Sequence, residues 1–114
     1  MSDCIFCAIA AHGVPSEILH EDDAVIAIRD NNPQAPVHVL VMPRAHIASA
    51  AELTHEHEEL WYRMLRVAKH LAATEGVAES GYRLVVNTGT DGGQTVAHLH
   101  MHVLGGRQMT WPPG

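Results

Sequence analysis

The chain has 114 residues, 46% of them hydrophobic and 18% charged, with a formal net charge of −6 when histidine is neutral. That length fits one domain with its own core and needs no disulfide scaffold. Ten histidines stand against seven Lys plus Arg; this excludes a protein that tracks a nucleic-acid polymer through clustered cations, but not a small phosphate ligand held by imidazoles and backbone N–H groups.

Cys4 to Ala11 is short and apolar and predicts one or two helical turns, stopped by Gly13 and Pro15. β-type runs follow at Glu17–Glu21 and Ala24–Arg29, a turn at Asp30-Asn31-Asn32-Pro33, and a strand at Val37–Met42 closed by Pro43. Thr54 reads as an N-cap with Glu56, Glu58 and Glu59 in the first turn, where the helix dipole favours acids. Leu60, Trp61, Met64, Leu65, Ala68, Leu71 and Ala72 form a helical stripe, and Gly76 is its expected stop. Tyr82–Asn87 reads as a strand, Thr88–Gln94 as a glycine-rich loop, and Thr95–Leu104 as the last strand. Residues 105–114 form a tail rich in Gly and Pro. The expected fold is α+β: an antiparallel sheet of about five strands with one long helix on one face and a short N-terminal helix, all in a single domain.

No run approaches the 18 or more apolar residues of a membrane span. Met1-Ser2-Asp3-Cys4 lacks a basic n-region followed by a long apolar stretch, so the expected location is cytoplasmic. Cys4 and Cys7 are too close in sequence to close a useful loop, which favours metal or redox use over a structural disulfide.

The last predicted strand reads Ala97-His98-Leu99-His100-Met101-His102-Val103-Leu104. Alternation sets His98, His100 and His102 on one face and Leu99, Met101 and Val103 on the other. Three readings of the row are open. It is a solvated polar face, a metal site, or a nucleophilic site. At about 3.3 Å per residue His98 and His102 lie roughly 13 Å apart, which counts against all three on one ion. Neutral imidazole is a good nucleophile near pH 7 if its other nitrogen is hydrogen-bonded. The preceding Thr90-Asp91-Gly92-Gly93-Gln94-Thr95 can turn N–H groups towards a phosphate.

His98-Leu99-His100-Met101-His102-Val103-Leu104 resembles the signature His-φ-His-φ-His-φ-φ, φ apolar, of the histidine triad (HIT) superfamily. Ile5-Phe6, Pro33-Gln34-Ala35-Pro36, Val86-Asn87, Asp91-Gly92-Gly93-Gln94 and the ending Leu104-Gly105-Gly106-Arg107 through Trp111-Pro112-Pro113-Gly114 resemble its Hint branch, the histidine triad nucleotide-binding proteins. The resemblance implies hydrolysis of purine nucleoside 5′-phosphoramidates such as adenosine 5′-monophosphoramidate, by a homodimer with no catalytic cofactor. Aminoacyl-adenylates are a further substrate class it allows. His100 would attack phosphorus, with the His98 carbonyl accepting from its far nitrogen. His102, Asn87, Thr95 and the Gly93 N–H would hold phosphate oxygens or assist the leaving group. Asp30 would take the ribose hydroxyls; Phe6, Ile9 and Val14 would wall the base; Trp111 would help shape the site. Asn31 replaces an often apolar residue beside the ribose-binding acid, and Ala97 an often aromatic one, which opens one side of the site. The resemblance also implies a structural zinc ion on Cys4, Cys7, His46 and His98.

Two other functions share these residues: dinucleoside polyphosphate hydrolysis within the same superfamily, and a zinc-stabilised nucleotide-binding module for partner interaction. A metal-dependent hydrolase is a third. His55, His57 and His70 read as solvated residues near the polar side of the helix, and His12, His20 and His38 have no partner that the sequence names.

Overall fold

The structure, a computed structural model, describes residues 3–114. It opens with helix α1 (Ile5–Ala10) and strands β1 (Ile18–Glu21), β2 (Val25–Arg29) and β3 (Val37–Pro43). Two short 3₁₀ turns lead into the long helix α2 (Glu58–Thr74), followed by β4 (Tyr82–Val85) and β5 (Met101–Gly105). The five strands form one antiparallel sheet in the order β1-β2-β3-β5-β4. The expected α+β architecture is the one observed.

Strand alternation sorts the core onto two faces. Val25, Ala27, Val39, Val41, Met101 and Val103 pack with Met64, Val67, Ala68, Leu71 and Ala72 of α2. Ile26, Ile28, Leu40 and Met42 pack on the other face against Phe6, Ile9 and Ala10 of α1. β3 is buried along its whole length because both faces are covered. Only six residues long, α1 covers part of its face. The rest of that face is where a recess forms.

Thr54 does cap a helix start, but of a 3₁₀ turn, His55–His57. Its own N–H donates to His57 Nδ1 at 2.9 Å, so His57 is a capping partner rather than a merely solvated side chain. At the other end Gly76 has φ +82°. Val77 N–H donates to the Ala72 carbonyl and Gly76 N–H to the Ala73 carbonyl. This is the Schellman arrangement, with Val77 folded into the core. The predicted strand Thr95–Leu104 is shortened to Met101–Gly105. Upstream, the Leu99 N–H donates to Ile47 in the loop after β3, so residues 95–100 cross the end of the sheet without joining its ladder.

No helix among the described residues is long and apolar enough to cross a membrane. Gly105 pairs with Val37 and Tyr82, and a Cβ there would lie 2.9 Å from three side-chain atoms of Val77. Gly105→Ala is expected to cost about 1–3 kcal/mol of unfolding free energy from overpacking. Denaturant melts of Gly105→Ala, Val77→Ala and the double variant check it: the double should be more stable than the sum of the singles allows.

Candidate active site

β5 places Met101 and Val103 under α2 and His102 on the α1 side, opposite Leu40. The preceding irregular segment keeps the same sidedness: Leu99 joins the α2 core, while the His98 and His100 rings both lie edge-on to Phe6 of α1. His98 is 0% and His100 6% exposed. Burial at this level requires every ring nitrogen to be placed deliberately.

The hydrogen bonds fix the tautomers. His100 Nδ1–H donates to the His98 carbonyl at 2.7 Å, which leaves the His100 Nε2 lone pair unprotonated and available. His98 Nε2–H donates to the Pro43 carbonyl at 2.8 Å, so its Nδ1 lone pair faces the other way, towards the thiols of Cys4 and Cys7 at 3.3 and 3.6 Å.

A fourth histidine completes the set. The Gln34 backbone N–H, which can only donate, bonds to His38 Nδ1 at 3.0 Å. His38 must then carry its proton on Nε2, which faces His102 Nδ1 at 2.9 Å and Asp30 Oδ2 at 3.3 Å. With His102 Nδ1 accepting, His102 presents Nε2–H as a donor. His38 is 4% exposed, and the signal for it was a single polar residue within the apolar run Val37-His38-Val39-Leu40-Val41-Met42. Burial, reinforced by the neighbouring His100 and His38, pushes His102 down to about 4 despite Asp30. Burial also lowers His38, opposed by Asp30.

A cavity of about 320 Å³ lies over His100 and His102. Phe6, Ile9, Val14, Asp30, Asn31 and Thr95 are among the residues that line it. Asp30 is oriented by the Asn32 N–H on Oδ1. Three other expected site residues lie elsewhere. Asn87 follows the end of β4 and Trp111 is 82% exposed in the tail; neither lines this cavity. The Gly93 N–H is committed to the Thr90 carbonyl at 3.0 Å, because the loop closes on itself in a turn. Gln94 clamps this loop, accepting from Gly89 N–H and donating to the Ala48 and Val96 carbonyls.

Cys4, Cys7, His46 and His98 bring four ligand atoms within 4.8 Å of one another. Cys7 Sγ lies 3.3 Å from His46 Nδ1. Two thiols, two imidazoles and a buried Nδ1 lone pair already turned inward fit a tetrahedral S₂N₂ centre of the kind zinc prefers. His12 and His20, unassigned from sequence, bond to Glu21 at 2.6 Å and Asp22 at 2.7 Å.

The chain as a whole is similar to known proteins. Residues 12–109 match the HIT domain family, and the chain belongs to that family. The chain is 47% identical over 107 residues to the purine nucleoside phosphoramidase of Escherichia coli, covering 94% of this chain and 90% of that one. An uncharacterized HIT-like protein of Synechococcus elongatus is 53% identical over 112 residues, 98% of this chain and 97% of its own. Among solved structures, a HIT family hydrolase from Legionella pneumophila superposes with a TM-score of 0.97 at 49% identity, covering 98% of this chain and all of that one. A HIT family hydrolase from Clostridium thermocellum gives 0.93 at 45% identity, over 96% of each chain.

The lowered basicity of His38 and His102 has a thermodynamic consequence. Below an unfolded-state value of about 6.5 the unfolded chain binds protons that the native rings resist, so stability falls as pH drops towards 4. Urea midpoints are expected to decline between pH 7 and about 5, before the carboxylates titrate. His102→Gln should flatten that decline.

Proposed function

We propose that the chain hydrolyses the P–N bond of purine nucleoside 5′-phosphoramidates, with adenosine 5′-monophosphoramidate as the simplest substrate. The observation that carries this reading is the bond from His100 Nδ1–H to the His98 carbonyl beneath a nucleotide-sized recess. With Nδ1 as the donor, the tautomer carries its lone pair on Nε2, and His100 lines that recess. Identity of 47% to a purine nucleoside phosphoramidase supports the same conclusion.

The nucleoside lies between Phe6, Ile9 and Val14, with Asp30 on the ribose hydroxyls and Asn31 at the exposed edge. His100 Nε2 attacks phosphorus, the P–N bond breaks, and a nucleotidyl-histidine forms with its positive charge shared onto Nδ1–H and the His98 carbonyl. His102 Nε2–H and the Thr95 hydroxyl hydrogen-bond the phosphate oxygens and the departing nitrogen, which takes up a proton to leave as the amine. Water then cleaves the N–P bond of the intermediate. Over the cycle its OH ends on phosphorus and its hydrogen balances the one on the amine. Asn87 is proposed as a further polar contact to the phosphate.

Cys4, Cys7, His46 and His98 would hold zinc, which when bound ties the start of α1 to the loop after β3 and supplies structure. A homodimer belongs to the same reading. β4 is a sheet edge without a second partner strand among the described residues, and dimerisation would cover the exposed Trp111. The cytoplasm is the proposed location.

Replacing His100 with Ala is expected to cost on the order of 10⁴-fold or more in turnover of adenosine 5′-monophosphoramidate. Retention of activity within tenfold would remove His100 as the nucleophile, and mass spectrometry of quenched wild-type enzyme should find the nucleotidyl group on it. Metal analysis of the purified protein is expected to give about one zinc per chain. Cys4→Ser and Cys7→Ser should each lose that zinc and lower the melting temperature.

A further inference from the structure

The two residues between Cys4 and Cys7 are Ile5 and Phe6, and both line the cavity over His100. Phe6 also sets its ring edge-on to His98 and His100, at centroid distances of 5.8 and 5.1 Å. The thiols therefore bracket one wall of the candidate active site. Cys4 caps α1, its Sγ accepting from the Cys7 N–H at 3.4 Å. The two Sγ atoms lie within 4.8 Å of each other. Both cysteines are only half-buried, and Cys4 lines a second cavity, of about 480 Å³, together with His46. A small oxidant thus reaches sulfur without unfolding the chain.

We propose that Cys4 and Cys7 are a reversible oxidation site, closed into a disulfide by hydrogen peroxide, and that this closure loosens the Ile5–Phe6 wall of the pocket. One thiolate attacks the O–O bond; an S–O bond forms and hydroxide leaves. The second thiolate then attacks that sulfur, so the S–S bond forms, the S–O bond breaks and a second hydroxide leaves. The sulfurs give up two electrons, the peroxide takes both, and two protons from solvent turn the hydroxides into water. In a cytoplasmic protein such a disulfide is transient and redox-sensing rather than structural. Side chains at helical i, i+3 spacing hold their Cβ atoms about 5–6 Å apart. A disulfide needs about 3.5–4.5 Å, so closing it must shift the turn that carries Ile5 and Phe6. The same step withdraws two anionic ligands from the zinc set proposed above. His46 and His98 alone are too few for a tetrahedral ion, so zinc leaves and His98 Nδ1 loses its thiolate neighbours.

The test treats the full-length, zinc-loaded protein with a small excess of hydrogen peroxide. Peptide mapping should find a Cys4–Cys7 disulfide, at a mass lower by two hydrogens, with release of zinc to a chromogenic chelator. Hydrogen exchange at the α1 amides should speed up tenfold or more. The KM for adenosine 5′-monophosphoramidate should rise threefold or more, with a smaller change in kcat. Dithiothreitol with added zinc should reverse every change. His46→Gln, which keeps both thiols but removes one zinc ligand, should form the disulfide faster than the wild type. Cysteines that take up oxygen without pairing, or a disulfide that leaves α1 exchange or KM unchanged, would overturn the proposal. If the disulfide forms and α1 loosens in a protein that holds no zinc, the switch stands and the zinc assignment falls. If the reduced wild type cleaves no phosphoramidate, that reading falls, and mapping with α1 exchange alone decides the switch.

Discussion

The bond from His100 Nδ1–H to the His98 carbonyl organises the chemistry of the fold, because it joins two residues of one short segment with two different tasks. A histidine can attack only through a nitrogen without a proton, and in a buried site the other nitrogen must find an acceptor. Here the acceptor is a backbone carbonyl two residues upstream. It is available because residues 95–100 stay outside the sheet ladder. Had the strand run from Thr95, as its alternating pattern suggests, a neighbouring strand would compete for that carbonyl.

His98 makes this arrangement rigid. Its carbonyl accepts from His100 Nδ1–H, its Nε2–H is tied to Pro43 at the end of β3, and its Nδ1 faces Cys4 and Cys7 at the start of α1. Two distant parts of the chain thus converge on one residue that is 0% exposed. The same economy appears at His102, whose donor nitrogen is selected by a chain of fixed partners from the Gln34 N–H through His38. Neutrality is the condition for both. Burial keeps His38, His98 and His102 below their ordinary basicity, so the rings can act as oriented dipoles rather than as mutually repelling cations.

Much of this was legible in the residues. The alternation of His98, His100 and His102 with Leu99, Met101 and Val103 predicted two faces, and the structure separates them. Phe6, Ile9, Val14, Asp30 and Asn31 line one cavity with His100 and His102 although they are scattered over the first third of the chain. Cys4, Cys7, His46 and His98 converge as the resemblance implied. What escaped depended on non-local partners. His38 looked unassigned because its partners lie in a turn four residues before it and on a strand 64 residues later. Gly93 looked like a phosphate donor because glycine frees the backbone, yet the Thr90 carbonyl claims its N–H once the loop closes.

The sequence by itself determined the α+β class, the stripe of α2 and its stop at Gly76, and the sidedness of the three histidines. Each follows from a period of 3.6 or 2 residues, or from one residue's backbone preference, and needs no distant partner. Tertiary structure alone decided which nitrogen of each ring carries the proton, and where the last strand begins. It also decided that Ile5, Thr95 and Val96 form a wall shared by the cavity over His100 and a second cavity. The physical reason is that a tautomer, a ladder end and a shared wall are set by whatever group packs opposite. In this chain those groups are Gln34, Pro43, Ile47 and Ile5, which the sequence does not place beside the histidines and only the fold brings there.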